Sequence, residues 1–381
     1  MDLSKSIQII SFDNPFPPKY GGIIDVFYKI EALHRLGYKV YLHCFVSDIV
    51  KCSPELKLIT EKVFFYSSSK NSFLFFSKIP YSVISRRNKD LLANIEKIDA
   101  PILFEGLKTT YLVHSGKLLN HLKILRLHNI EQDYFKGIAS SEKSLVRKVL
   151  YYFESFKFKY YENIISKFDK VLTISHFEEG YVTKKFNNSC YVPVFHGNSF
   201  VSHLKGKGDF VLYHGDLNTA DNRKSVEFLV SVFKELPDYN LRIASGTGEK
   251  FVKNLIKKRE NVFFDKLKNF DDLKCLLGQA HINVTWSFQK SGTKLKIINS
   301  LFNSRFSIIN DNIIDDVLIS DLCCKVESKE ELIRAIKKLN NKSFTDFNRR
   351  FEVLELNLND NTNVKLIDEI ITRNNEKRSA I

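Results

Sequence analysis

The chain has 381 residues, 44% apolar and 27% charged, which fits a folded globular protein and excludes a disordered, collagen-like or low-complexity chain. One core serves roughly 100 to 200 residues, so two domains are expected. The 58 Lys and Arg exceed the 44 Asp and Glu by 14, which favours anionic ligands or surfaces.

In chain order, IQIISF (7–12) is an apolar run of strand length, followed by the turn-rich DNPFPPKYGG. Ile23, Val26, Phe27, Ile30, Leu33 and Leu36 then recur at helical spacing, closed by Gly37. With the strand KVYLHCF (39–45), the first 45 residues form one βαβ unit of a parallel sheet. Further strands are predicted at 62–66, 101–105, 123–127, 170–175 and 191–195, mostly with helices between them. After Phe195 a polar, glycine-containing stretch intervenes and the alternation restarts. Strands at 210–215, 240–246, 261–266, 281–286 and 306–310 alternate with helices near 222–235, 248–258, 270–278 and 293–303. The expected fold is α/β, with two doubly wound parallel-sheet domains over 1–200 and 201–381 that face each other across a cleft. The last helix, near 363–373, is expected to finish the second domain or pack back on the first. Sheets of this kind bind ligands beyond the carboxyl ends of their strands.

Three constellations lie at such ends. Asp13, Asn14, Tyr20, Gly21 and Gly22 precede a helix, whose free N–H groups and dipole favour an anion. Arg126, His128, Asn129 and Glu131 crowd the end of the 123–127 strand. In the second domain Gly215 is followed by Lys224 at a helix start, and Gly246 and Gly248 form a loop at another. There, too, the small-residue loop Ser291, Gly292 and Thr293 precedes a helix carrying Lys294 and Lys296, an arrangement suited to a diphosphate. The bland alternatives are a tight turn at Gly21-Gly22 and a solvated basic face at the lysines. Cys44, Cys52, Cys190, Cys275, Cys323 and Cys324 show no zinc-ligand spacing and are expected to be reduced and mostly buried. No apolar run reaches the roughly 18 residues of a membrane-spanning helix, and the first residues lack a signal peptide's features, so a cytoplasmic protein is expected.

Taken together, PPKYGGIIDVFYKIEALHRLGYKVYL, LRLHNIEQDYF, FDKVLTISHFEEGYV, YHGDLNTADNRKSVEFL, ASGTGEK and SGTKLKIINSLFNSRFSIIN resemble segments of the GT-B glycosyltransferases, specifically glycosyltransferase family 4, over nearly the whole chain. The resemblance implies a retaining enzyme that takes a UDP- or GDP-sugar as co-substrate and needs no metal or other cofactor. It implies that Gly21 and Gly22 face the donor diphosphate or a phosphate-bearing acceptor, that His128 lies near the transferred sugar, and that Lys224 and the N–H groups of 291–293 neutralise the diphosphate. Two departures stand out: Ser291 and Asn299 occupy the places of the family's Glu-x7-Glu pair, and Asp216 that of an Arg. Asn299 is then expected to bond a ribose hydroxyl. Lys294, Lys296 or Arg223 would supply the missing cation.

Two segments mix aromatics with Lys and Arg, 71–89 and 143–161. The first is read as a contact with an anionic membrane at the inner face of the plasma membrane. The second is read as core aromatics with lysines snorkelling at the rim. A glycan or polyprenyl-linked acceptor in bacterial capsule, lipopolysaccharide or exopolysaccharide assembly fits these expectations. The competing reading is a sugar-nucleotide-binding scaffold without activity. Nucleic acid is not an expected partner, because no recognition motif accompanies the positive charge.

Overall fold

In the computed structural model, residues 5–48, 51–118, 120–142, 144–289 and 295–379 are described. The chain divides into two compact units, one of 1–197 with 360–381 and one of 198–359. The chain passes from the first unit to the second after Gly197 and leaves the second again at Asp360.

The first unit runs β1 (Ser6–Ser11), α1 (Gly21–Arg35), β2 (Lys39–Val46), α2 (Pro54–Ile59), β3 (Lys62–Ser67), α3 (Tyr81–Ile84), α4 (Lys89–Ile95), β4 (Ile102–Glu105) and α5 (Tyr111–His114). It continues through β5 (Lys123–Leu127), α6 (Glu131–Ser141), α7 (Leu145–Tyr161), β6 (Lys170–Thr173), α8 (His176–Phe186) and β7 (Ser189–Tyr191). Its seven strands are ordered β3-β2-β1-β4-β5-β6-β7, and all pairs are parallel. Such a sheet is covered on both faces, so its strands read as apolar runs without alternation. Ile7, Ile9 and Ile10 are all buried. Gly37, at φ +89°, ends the first crossover in a conformation that costs a side chain energy.

The second unit runs β8 (Val211–His214), α9 (Ala220–Phe233), β9 (Leu241–Ser245), α10 (Glu249–Leu255), β10 (Val262–Lys266), α11 (Phe270–Gln279) and β11 (Ile282–Thr285). Next come α12 (Leu295–Asn303), β12 (Phe306–Ile309), α13 (Val317–Ser320), β13 (Cys324–Lys325), α14 (Lys329–Asn340) and α15 (Phe347–Asn357). Its six strands, in order β10-β9-β8-β11-β12-β13, are again all parallel.

The final helix, α16 (Asp360–Ser379), belongs to the first unit. Val364, Ile367 and Ile371 join the core formed by Leu33 and Val40. Asp368 accepts from Tyr38 Oη at 2.6 Å and pairs with Lys5 at 2.8 Å. Asp360 accepts from the amides of His196 and Gly197 at 3.2 and 2.8 Å.

Strand order reverses at β1/β4 in one sheet and β8/β11 in the other. At such switch points the flanking loops part and leave a crevice beyond the strand ends. Two expectations need correction. Ladder pairing in the last strand of the first unit ends at Tyr191, because the carbonyls of Val192 and Pro193 and the amide of Phe195 are taken by side chains. Of the free cysteines only Cys44 is buried, while Cys275 is exposed and the rest are half-buried. No helix among the described residues is long and apolar enough to cross a membrane.

Candidate functional site

In the first unit, the ends of β1, β4 and β5 converge on a buried chain of opposite charges. His128, just past β5, shares a 2.9 Å hydrogen bond between Nε2 and Oε2 of Glu105, the last residue of β4. Oε1 of Glu105 forms an ion pair at 2.8 Å with the Lys29 ammonium, which donates a hydrogen bond to Oδ2 of Asp25 at 2.8 Å. Arg126 grips Asp25 with Nε and Nη2 at 3.1 and 2.8 Å. Asp25, Lys29, Glu105 and Arg126 are fully buried. Buried charge is tolerable only when paired and hydrogen-bonded, and here two carboxylates face two permanent cations.

Burial alone would raise the Asp25 carboxyl pKa, but Arg126 and Lys29 hold it well below the usual carboxylate range. Glu105 follows the same logic: burial raises it, and Lys29 and His128 bring it below its ordinary value. An ionised Glu105 only accepts, so Nε2 of His128 carries the proton and the ring is oriented from behind, as carboxylates orient imidazoles elsewhere. Asp25, Glu105 and His128 present ligand atoms within 4.8 Å of one another. However, the Lys29 ammonium already sits against both carboxylates, which does not suit a metal ion.

The glycine loop reaches this cluster through Phe12. The Phe12 ring meets His128 edge-on at 5.8 Å, and a Cβ on Gly22 would come within 3.0 Å of Phe12 Cζ, so a side chain there would press on the ring beside the histidine. Gly21 opens α1, which has no side-chain cap and no acid in its first turn. Its end is electrostatically open to an anion. Tyr20 donates to Oδ2 of Asp13 at 2.8 Å; burial and that bond push its phenol pKa up. Asn14 accepts from the Phe16 amide at 3.3 Å, shaping the loop. Asn129 is half-buried next to the histidine. Glu131 is buried at the start of α6, 3.8 Å from Lys108. Lys108 in turn lies over the rings of Phe12 and Tyr134, at 6.0 and 5.3 Å.

Arg126 requires a correction. It was expected on the acceptor side, but its guanidinium is wholly buried and also donates to the carbonyls of Val192 and Pro193 at 2.6 and 3.0 Å. It ties β5 to α1 and to the segment after β7. Sequence reasoning missed Asp25, Lys29 and Glu105. A signal existed: Asp25 and Lys29 form a polar i, i+4 pair among the apolar positions of α1.

In the second unit, the loops after β8 and β9 are joined. Thr247 donates to Oδ1 of Asp216 at 2.6 Å and accepts from the Leu217 amide at 3.0 Å. Gly215 leaves room for Asn222, whose Nδ2 lies 3.1 Å from where a Cβ would stand. Gly248 immediately precedes α10 at φ +73°, with its Cβ position only 2.5 Å from Leu217 Cβ, so glycine is required there. Gly246 sits in the same loop, and a Cβ there would lie 3.4 Å from the Leu267 carbonyl oxygen. Lys224 is exposed on α9, 4.1 Å above the Phe288 ring.

Two expected donor contacts are engaged within the protein instead. The Lys296 ammonium donates to Oδ1 of Asn222 at 3.0 Å and to the Trp286 carbonyl at 3.2 Å. Asn299 is buried and accepts from Asn198 at 3.0 Å. Lys296 and Asn299 thus both make contacts within the framework of this unit. Ser291, Gly292, Thr293 and Lys294 lie outside the described residues.

No protein-family model matches the chain. A 44.6 kDa protein of the cps region of Klebsiella pneumoniae is 27% identical over 327 residues, spanning 79% of this chain and 82% of that one. Among solved structures, sucrose-phosphate synthase from Thermosynechococcus elongatus superposes with a TM-score of 0.70 at 15% identity, covering 97% of this chain and 98% of that one. A glycosyltransferase from Rickettsia africae gives 0.65 at 14% identity, with 97% and 98% covered. Anabaena HepE in complex with UDP-glucose gives 0.63 at 12% identity, with 97% and 99% covered. The chain therefore has the GT-B fold, two Rossmann-like parallel-sheet units in tandem.

Proposed function

We propose that this protein is a glycosyltransferase that moves a sugar from a nucleoside diphosphate sugar to a hydroxyl of a glycan or lipid-linked glycan, with retention of anomeric configuration. The observation that carries the reading is His128, held by Glu105 at the switch point of the first sheet and touching, through Phe12, the loop that opens the uncapped α1. In this reading the second unit binds the nucleotide through the loops at Gly215 and Gly246 to Gly248, with Lys224 facing the diphosphate. His128 bonds the sugar being transferred. The costly event is charge gathering on the departing phosphate, which helix N-termini and fixed cations stabilise without a metal. The acceptor hydroxyl then attacks from the face the diphosphate leaves.

The UDP-glucose bound by HepE and the cps-region relative support a sugar-nucleotide donor and a bacterial surface polysaccharide; in this reading transfer takes place on the cytoplasmic side. The test is a melting-temperature panel of UDP- and GDP-sugars with and without EDTA, followed by assay of nucleoside diphosphate release. One nucleotide should raise the melting temperature unaffected by EDTA, since a ligand that binds only the folded state stabilises it. His128→Ala should keep that shift and lose release. Release at the wild-type rate from His128→Ala would refute the assignment. Donor binding with no release from the wild type, with any acceptor supplied, would favour the scaffold reading, which the replacement of the family's Glu pair by Ser291 and Asn299 also motivates.

A further inference from the structure

The helix α7 carries more exposed apolar surface than a solvated helix should. At about 100° per residue, Leu145, Val149, Tyr152, Phe153, Phe156 and Tyr160 share one side, and all are exposed, Leu145 by 79%. Glu154, Phe158 and Tyr161 are buried on the opposite side. The expectation that the aromatics of 143–161 are mainly core is thus corrected: the core takes one narrow stripe and leaves the broader one uncovered. A second element extends this surface. Lys157 donates to the Phe75 carbonyl at 2.6 Å and Glu154 accepts from the Tyr81 amide at 2.9 Å, fastening residues 72–81 to α7. In that segment Phe73 and Phe76 are exposed by 77% and 89%.

The exposed charges that these two segments themselves carry are of one sign. Across 71–89 and 144–161 the sole acidic residue is Glu154, which is buried and paired with Lys157 at 3.0 Å. Lys78, Arg87, Lys89, Arg147 and Lys159 are all exposed. A large apolar patch on a soluble body marks an interaction site. A second copy of the same face would set cation against cation. An anionic bilayer instead offers acyl chains to the aromatics and headgroups to the basic side chains.

We propose that α7, with the 72–76 turn, is a membrane-docking face that lays Phe153, Phe156, Phe73 and Phe76 into the interface of an anionic lipid layer, with Lys159 and Arg147 on its headgroups. This face stands independently of the transfer reading. The test is flotation of the full-length protein with vesicles of phosphatidylcholine alone and of equal parts phosphatidylcholine and phosphatidylglycerol. The protein should float with the anionic vesicles, weakly with the neutral ones, and less as salt is raised. Phe153→Ser with Phe156→Ser should weaken binding at least about tenfold, and Arg147→Glu with Lys159→Glu comparably. These side chains are exposed, so the melting temperature and any nucleotide-induced shift should hold. Failure to bind either vesicle, or binding untouched by both double variants, would overturn the proposal. So would an apolar face that serves dimerisation, seen as a wild-type dimer that the Phe variants dissociate without any lipid binding.

Discussion

The two sheets have the same winding, yet the chemistry beneath their switch points differs. In the first unit charge is set against charge: Asp25, Lys29, Glu105 and Arg126 form a closed, fully buried array behind His128. In the second unit two charged groups near the switch point rest on neutral partners among the described residues. Lys296 lies on an amide and a backbone carbonyl, and Asp221 accepts from the Ser287 hydroxyl and the Phe288 amide at 2.8 Å each. A paired array orients a side chain firmly but leaves an uncompensated charge when any member is lost. Neutral partners tolerate loss, because what remains is a carbonyl or hydroxyl that water can serve.

The largest test of that contrast is Arg126→Met. It abandons Asp25 in the core and should cost about 3 to 5 kcal/mol, read as a lower urea midpoint by far-UV circular dichroism. Asp25→Asn in the same chain should restore part of that loss. The matching change in the second unit, Lys296→Met, removes a cation that among the described residues donates to the Asn222 side-chain oxygen and the Trp286 carbonyl, and should cost about 1 to 3 kcal/mol. Trp286, the one tryptophan and a buried residue of the second unit, reports that loss by its own fluorescence. Equal losses from the two variants would erase the contrast.

Acid should separate the units next. Each holds a neutral buried histidine: burial pushes His43 down to about 3, and burial with Lys296 does the same to His214. Below pH of about 6.5 the unfolded histidines take up protons that the folded ones refuse, so stability falls with pH toward 3 at up to about 1.4 kcal/mol per unit for each. The depressed carboxyls of the buried Asp25 and Glu105 add to this in the first unit, with stability present above pH of about 4 and lost progressively below it. Circular dichroism should therefore record an earlier acid transition than Trp286 fluorescence. The smallest effect is that of Lys224→Ala, an exposed side chain, with stability expected within about 0.5 kcal/mol of wild type while nucleotide binding weakens. Unchanged nucleotide affinity in a titration would remove Lys224 from the donor site.

Fold class and most strand positions were legible because buried parallel strands are short apolar runs between turn signals. The predicted 123–127 strand is Lys123–Leu127. The two-residue β13 was not legible, as its pairing is set by the neighbouring β12 rather than by pattern. His128 stood out as a polar group after an apolar strand, but Arg126 in the same segment misled, since inward and outward polar residues look alike until the partners of each are placed. Glu105 was hidden as the end of an apolar run, and the exposure of α7 was concealed by a sequence equally suited to a core helix.

The return of α16 to the first unit has a consequence for how the protein is made. Residues 198–359 are contiguous, so the second unit is complete in sequence before α16 is made. The first unit is not: until Asp360 and the turns after it have left the exit tunnel, the amides of His196 and Gly197 lack their acceptor and Leu33 and Val40 lack part of their cover. The half of the molecule translated first is therefore the last to be finished.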